Sequence, residues 1–457
     1  MKINFKKPLN NKDVLFININ FDNKDEIIKE NNIKTLYLKC EEKMTLRRLF
    51  LIIRKIIMLA KKNKADKIAF NFSDFIFDSI KISKNELAEI IGTQLDFANY
   101  EFLEYKTETK DIFMGVKEVF ILETTPEISK AILRGHDIAI EVNKARTLSN
   151  TPGADMTPTI LANKAKESVL GLPVKVTILG EKEMKREKMH AILSVGCGSD
   201  EESKFIVMEY WGGNKNDKPI VLVGKGVTFD TGGINLKPSS GLLSMNMDMS
   251  GGASVIHTLS LVAKMKLKKN VIAIIPSVEN MASGKSYRPG DIIRSMSGKT
   301  IEILNTDAEG RVILADALTY TKRYKPEIVI DVATLTGAAC VALGDYASAI
   351  FTEDDELSKT FEEIGERTGD YVWRLPLWEE YESGIKGSVG DLTNVHNKDS
   401  RSGGAIYAAS FLHQFIKGIK WLHIDMAPRM VSASGDNLSS GALGTPVRML
   451  FKFIEEN

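Results

Sequence analysis

Val221-Leu-Val-Gly-Lys-Gly-Val-Thr-Phe-Asp230 begins as an unbroken hydrophobic run, turns at Gly224-Lys225-Gly226, and delivers an acidic residue five positions after the lysine. A short apolar run closed by glycines reads as a strand buried on both faces, the habit of a central strand in an α/β sheet. Downstream come Gly232-Gly233, Lys237 and Met245-Asn-Met-Asp248-Met-Ser-Gly251-Gly252, then Ile303-Leu-Asn305-Thr-Asp307-Ala-Glu309-Gly310-Arg311. Charged residues and glycines thus gather at strand ends, where open α/β sheets place their ligands.

Working outward, residues 150–457 read as a large α/β unit. Strands are expected at Val174–Leu179, Lys204–Tyr210, Ile220–Val223, Val271–Pro276 and Glu327–Asp331, and helices at Thr159–Leu170, Gly251–Lys264, Arg311–Tyr324 and Gly404–Lys417. The first 125 residues alternate β-rich runs (Val14–Ile19, Thr35–Leu38, Lys67–Phe72, Glu118–Leu122) with helical spacing at Leu46–Lys62 and Asn85–Phe97. That pattern predicts a small N-terminal α/β domain over 1–125, with no catalytic cluster of its own. Between the two, Glu127 to Ser149 carries Ile128, Ile132, Ile138, Ile140 and Val142 on one side and stops at Asn150-Thr-Pro-Gly153. A connecting helix over 126–149 is therefore expected, followed by a catalytic domain over 150–457 with a mixed central sheet flanked by helices.

Composition narrows the class. With 457 residues, 43% hydrophobic and 26% charged, the chain has an ordinary globular balance and room for two domains. A formal net charge of +1 offers no general attraction for nucleic acid or an anionic membrane. Cys40, Cys197 and Cys340 form no CxxC pair, which points away from a disulfide framework or a thiolate zinc site and toward a reducing compartment. The greasiest stretch, Leu49–Ala60, is broken by Arg54 and Lys55 and is too short to span a bilayer. No signal peptide is legible at the N-terminus, so a cytoplasmic location is expected.

Asp307 and Glu309 are separated by one residue, and in an extended segment their side chains point the same way. Asp230 and Asp248 converging on them would bring four carboxylates together, and these repel unless cations neutralise them. Carboxylates around two divalent ions form a known class of hydrolytic site. Taken singly, an Asp-x-Glu pair reads as a solvated turn and Lys225 as a surface lysine or phosphate contact.

Together the segments resemble the leucyl aminopeptidase family of cytosolic hexameric metallopeptidases. Asn305-Thr-Asp-Ala-Glu-Gly-Arg311 reads as that family's signature, and Val223–Asp230 as a second family block. Further matches are Ser149-Asn-Thr-Pro152, Tyr287-Arg-Pro-Gly-Asp291 and Asp331-Val-Ala-Thr-Leu-Thr-Gly337, so the resemblance spans about 145–457. It implies one metal held by Asp230, Asp307 and Glu309, and a second held by Lys225, Asp230, Asp248 and Glu309, with a hydroxide between them. As a ligand Lys225 would be a neutral amine, its pKa lowered by the dications. The resemblance further implies Lys237 as the stabiliser of the oxyanion and Arg311 as the holder of a bicarbonate that shuttles protons. Met245, Thr334, Leu335, Gly337, Ala427 and Met430 fall where the family contacts the substrate, and the two methionines suit an N-terminal leucine or methionine. Manganese or zinc, with magnesium or cobalt as further candidates, would fill the sites of a homohexamer acting on peptides with a free N-terminus; no membrane or nucleic-acid partner is implied.

Other readings stand beside this one. Gly284-Lys-Ser286 suggests a phosphate loop, but the position where its first glycine should stand is Glu279. No His pair, nucleophile elbow or partner for Cys197 is apparent; Cys197 reads as a small core residue and His423 as a satisfied core or interface histidine. A catalytically silent scaffold or nucleic-acid-binding relative, and a two-metal phosphoesterase, remain as alternatives.

Overall fold

The computed structural model describes residues 1–20, 25–41, 43–108, 112–398 and 402–457. It divides into two compact units, 1–143 with 432–440, and 144–431 with 441–457. The helix Pro126–Asn150 begins in the first unit and ends in the second.

In the first unit, six strands run in the order Lys2–Asn4, Glu118–Leu122, Lys67–Asn71, Leu15–Asn20, Ile33–Lys39 and Glu26–Glu30. All neighbours are parallel except the last pair, a hairpin. Helices Leu46–Lys62 and Lys84–Asn99 bury Leu49, Phe50, Ile53, Ile91 and Leu95 in one core with the strand residues Leu36, Ile68 and Val119. Thr45 and Ser83 cap these helices by accepting from the backbone N–H three residues on. The edge strands Lys2–Asn4 and Glu26–Glu30 lack the apolar alternation that marks their neighbours, so the sequence does not announce them.

In the second unit a nine-stranded sheet carries Val372–Arg374, Ser348–Phe351, Trp421–Asp425, Ile328–Ala333, Ile220–Gly224, Asn270–Asn280, Lys204–Trp211 and Val174–Leu179 in that order, with Gly226–Asp230 added alongside Asn270–Asn280. The centre is parallel; Lys204–Trp211 is antiparallel to both Asn270–Asn280 and Val174–Leu179, and Ser348–Phe351 is antiparallel to Trp421–Asp425 but parallel to Val372–Arg374. The fold is therefore the mixed-sheet α/β class expected. Val221, Val223, Ile272, Ile274 and Val329 lie in one buried core with Val312, Ile313 and Leu314 of the helix Glu309–Thr321.

The opening stretch explains how the site is placed. Ile220–Gly224 lies between Ile328–Ala333 and Asn270–Asn280, pairing with both. At Lys225 the chain steps aside: its N–H donates to Val332 O (3.0 Å) and its carbonyl accepts from Gly252 N (2.7 Å). Gly226–Asp230 then continues along the far half of Asn270–Asn280, with an irregularity in register between Val227 and Phe229. The step puts Lys225 at the carboxyl end of one strand and Asp230 at the end of the next.

Candidate metal centre

Four carboxylates and two lysines meet at these strand ends. Lys225, 3% exposed, places Nζ 2.8 Å from both Asp248 Oδ1 and Glu309 Oε1, and donates to Thr334 O at 3.0 Å. Lys237 Nζ lies 2.8 Å from Asp230 Oδ2 and is ion-paired with Asp307 Oδ1. Asp248 rides on the short helical turn Met245–Met249, and its Oδ1 also accepts from Thr334 Oγ1 (2.7 Å). Asp307, with a side chain 32% exposed, reaches farthest toward solvent, and Lys237 is partly exposed beside it.

Asp307 and Glu309 do converge, but not as an extended pair. Asp307 sits in a turn and Glu309 opens the helix Glu309–Thr321, so the i, i+2 strand argument does not apply. The turn is fixed by side chains: Asn305 Oδ1 accepts from Asp307 N (2.8 Å), and Thr306 exchanges bonds with Asn235. A competing preference of Asn for local side-chain-to-backbone bonds overrides extension here. Glycines clear the space. Gly232 has a φ of +87°, open to glycine without strain, and its N–H donates to Asp230 Oδ1 (2.8 Å). At Gly310 an added Cβ would stand 2.6 Å from Lys225 Cε, so only glycine lets the lysine cross the helix start to Glu309.

Burial pushes the carboxyls of Asp248, Asp230 and Asp307 up, and their mutual repulsion adds to it, while the lysines pull them back. Burial works to lower Lys225 and Lys237, yet the facing carboxylates outweigh it and raise both. Without an ion the facing carboxylates favour the ammonium form of Lys225, so the neutral amine expected of a metal ligand would require cations to offset their charge. Arg311, on the first turn of Glu309–Thr321, is buried, which lowers its pKa to about 10 against the opposing pull of Glu309 and Asp425. Its Nη1 donates to Asn394 O (3.0 Å), and its Nε has no hydrogen-bond partner among the described residues.

The donor set suits divalent cations. One oxygen each of Asp230, Asp307 and Glu309 lie within 4.8 Å of one another. Oxygens sharing an ion at ligand distances of about 2.0–2.2 Å stand up to roughly 4.4 Å apart. Asp248 Oδ2 is buried and makes no hydrogen bond, which costs free energy unless a cation meets it, and Glu309 Oε1 is buried with the Lys225 ammonium (2.8 Å) facing it. The two ammonium groups already lie where positive charge is called for.

The other expected residues are placed less tightly. Thr334 Oγ1 donates to Asp248, with Oδ1 at 2.7 Å and the carbonyl oxygen at 3.2 Å. Leu335 and Ala427 are held on one carboxylate that sequence reasoning missed: Asp425 Oδ1 accepts from Leu335 N (3.1 Å) and Ala427 N (3.2 Å), and Oδ2 from Thr336 Oγ1 (2.6 Å). Gly337 is exposed, and Met245 and Met430 are half-buried. Cys197 is exposed, past the end of the helix His190–Gly196, which corrects its reading as a core residue. His423 is buried with Nδ1 2.6 Å from Asp331 Oδ1, but its Nε2 lacks a hydrogen-bond partner among the described residues, so it is satisfied on one side only.

Residues 143–451 match the model of the cytosol aminopeptidase family's catalytic domain. The chain belongs to the cytosol aminopeptidase family. A probable cytosol aminopeptidase of Roseiflexus castenholzii is 40% identical over 408 residues, 87% of this chain and 81% of the relative. One from Rickettsia bellii is 40% identical over 439 residues, covering 94% and 87%. Among solved structures, the bottromycin maturation enzyme BotP in complex with Mn superposes with a TM-score of 0.87 at 27% identity, covering 97% of this chain and 99% of that one. As a member of the cytosol aminopeptidase family the chain is a metal-dependent aminopeptidase acting on peptides, which sets aside the phosphoesterase reading. Among the described residues no helix is long and apolar enough to cross a membrane.

Proposed function

We propose that the chain removes apolar N-terminal residues, leucine and methionine foremost, from peptides at a two-metal centre. One ion would be held by Asp230, Asp307 and Glu309, the other by Lys225, Asp230, Asp248 and Glu309. The observation that carries this is the Asp230–Asp307–Glu309 oxygen cluster, with the buried, hydrogen-bond-free Oδ2 of Asp248 belonging to the same group of carboxylates. When bound, two manganese or zinc ions (magnesium or cobalt by availability) supply a Lewis-acid centre that activates water and polarises the scissile carbonyl.

The chain's own side chains complete the chemistry. Lys237, kept protonated by the carboxylates around it, stabilises the negative charge that develops on the carbonyl oxygen. Arg311 offers its unpaired Nε to a bicarbonate anion, a base of the right class to carry a proton from water to the leaving amine. Met245, Thr334, Leu335, Gly337, Ala427 and Met430 form the substrate wall in this reading. Catalysis then belongs to residues 150–457, joined by 126–149 to an N-terminal α/β domain over 1–125 that supports a cytoplasmic homohexamer or narrows access. That every proposed site residue falls within the span matched by the catalytic-domain model supports this division.

Asp307→Ala and Glu309→Ala test the metal assignment. Each should lose bound Mn2+, measured by elemental analysis, together with leucyl-p-nitroanilide turnover. Full metal content with lost turnover would detach these carboxylates from the ions.

A further inference from the structure

Asn280 is fully buried, carries no charge, and belongs to no ligand set, yet it joins the two segments that bear the carboxylates. It ends the strand Asn270–Asn280 directly across from Asp230 in the parallel register. Its Nδ2 donates to Asp230 Oδ1 at 2.7 Å and to Thr306 O at 3.0 Å, the residue just before Asp307. Both neighbours are acceptors, so the nitrogen must face them and the amide orientation is settled by its surroundings. Gly232 N also donates to Asp230 Oδ1, leaving Oδ2 as the oxygen that turns to Lys237 and the acidic cluster. Tyr287 Oη gives the Thr306 carbonyl a second donor (2.8 Å), so that carbonyl is fixed by two hydrogen bonds directly before Asp307.

We infer that Asn280 is a positioning residue for the metal centre: its amide selects which oxygen of Asp230 faces the ions and ties Asp230 to the Asp307 turn. The physical reason is geometric. A carboxylate with one oxygen saturated by two N–H donors cannot rotate without losing both bonds, and partners behind metal ligands of this kind typically govern about 10- to 100-fold in metal affinity. The remaining Asn280 atom, Oδ1, has no hydrogen-bond partner among the described residues, which fits an amide retained for its nitrogen.

The inference rests on the two-metal reading, and the test separates the two. Mn2+ binding to metal-stripped protein is measured by equilibrium dialysis with elemental analysis, with folding followed by far-ultraviolet circular dichroism and thermal unfolding. Wild type that binds no Mn2+ would overturn the metal reading itself. With wild type binding, Asn280→Ala and the isosteric Asn280→Asp should both fold and both bind Mn2+ about 10- to 100-fold more weakly. Asn280→Asp is the sharper arm, because an added negative charge alone would tighten cation binding, whereas loss of the two donations weakens it. Tyr287→Phe, which frees only the Thr306 carbonyl, should shift affinity far less. Unchanged or tighter Mn2+ binding in either Asn280 variant would overturn the inference. So would failure of both variants to fold without metal, since the amide would then serve the fold rather than the site.

Discussion

At the scale of single residues, the centre is governed by how charge is disposed around two lysines. Lys237 contacts Asp230 and Asp307 from the partly open side of the cluster, where a substrate carbonyl would enter. Lys237→Ala should keep the metals and lower kcat by about 10²-fold or more, the usual cost of removing one preorganised oxyanion donor; unchanged kcat would remove Lys237 from that role. Lys225 is enclosed by Asp248, Glu309 and the Gly310 backbone. Lys225→Arg substitutes a guanidinium that stays protonated and is larger, so elemental analysis should find one ion fewer per chain. Of the charged members of this site, local spacing marked only Asp307 and Glu309 as a pair; Lys225, Lys237 and Arg311 entered through the family resemblance. Asn280 and Asp425 were not legible in the sequence, because their roles exist only once the register sets Asp230 opposite Asn280 and Ala333 opposite Asp425.

At the scale of elements, the helix Glu309–Thr321 carries Glu309 and Arg311 on its first turn and is anchored farther along by Asp316. Asp316 accepts from Ala191 N (2.9 Å), Ile192 N (3.2 Å) and Met296 N (2.7 Å). Burial pushes its carboxyl up to about 7 although the three backbone donors favour the anion. An acid whose pKa is raised on folding binds its proton more tightly in the folded state. Its contribution to stability is therefore full below about pH 4 and is lost as pH rises through about 7. Urea unfolding of the metal-free protein should show a smaller stability difference between pH 5 and pH 7.5 in Asp316→Asn than in wild type. An unaltered difference would mean that Asp316 is ionised throughout. The helix Leu46–Lys62, with its long apolar period, and the apolar strands Val174–Leu179 and Glu118–Leu122 were expected at their observed bounds. The short strands Ser348–Phe351 and Val372–Arg374, and the helices Asp355–Thr368 and Val447–Glu456, were passed over. Strands of three or four residues hold too few positions for a period to register.

At the scale of the whole molecule, the sheet does for this chain what open α/β sheets do generally, delivering polar side chains at the carboxyl ends of parallel strands. Lys225, Asp230 and Asn280 follow from neighbouring strand ends, and Asp248, Asp307 and Glu309 from the turns and helix starts beyond. Buried carboxylates without enough compensating charge make the cation-free protein less stable than the loaded one, since ligands that bind only the folded state stabilise it by mass action. The most direct test of the central claim is leucyl-p-nitroanilide hydrolysis by protein stripped with a chelator and then titrated with Mn2+. The account predicts no turnover when stripped, and recovery that saturates at two ions per chain. Full turnover by the stripped protein, or none by protein holding two ions per chain, would contradict it.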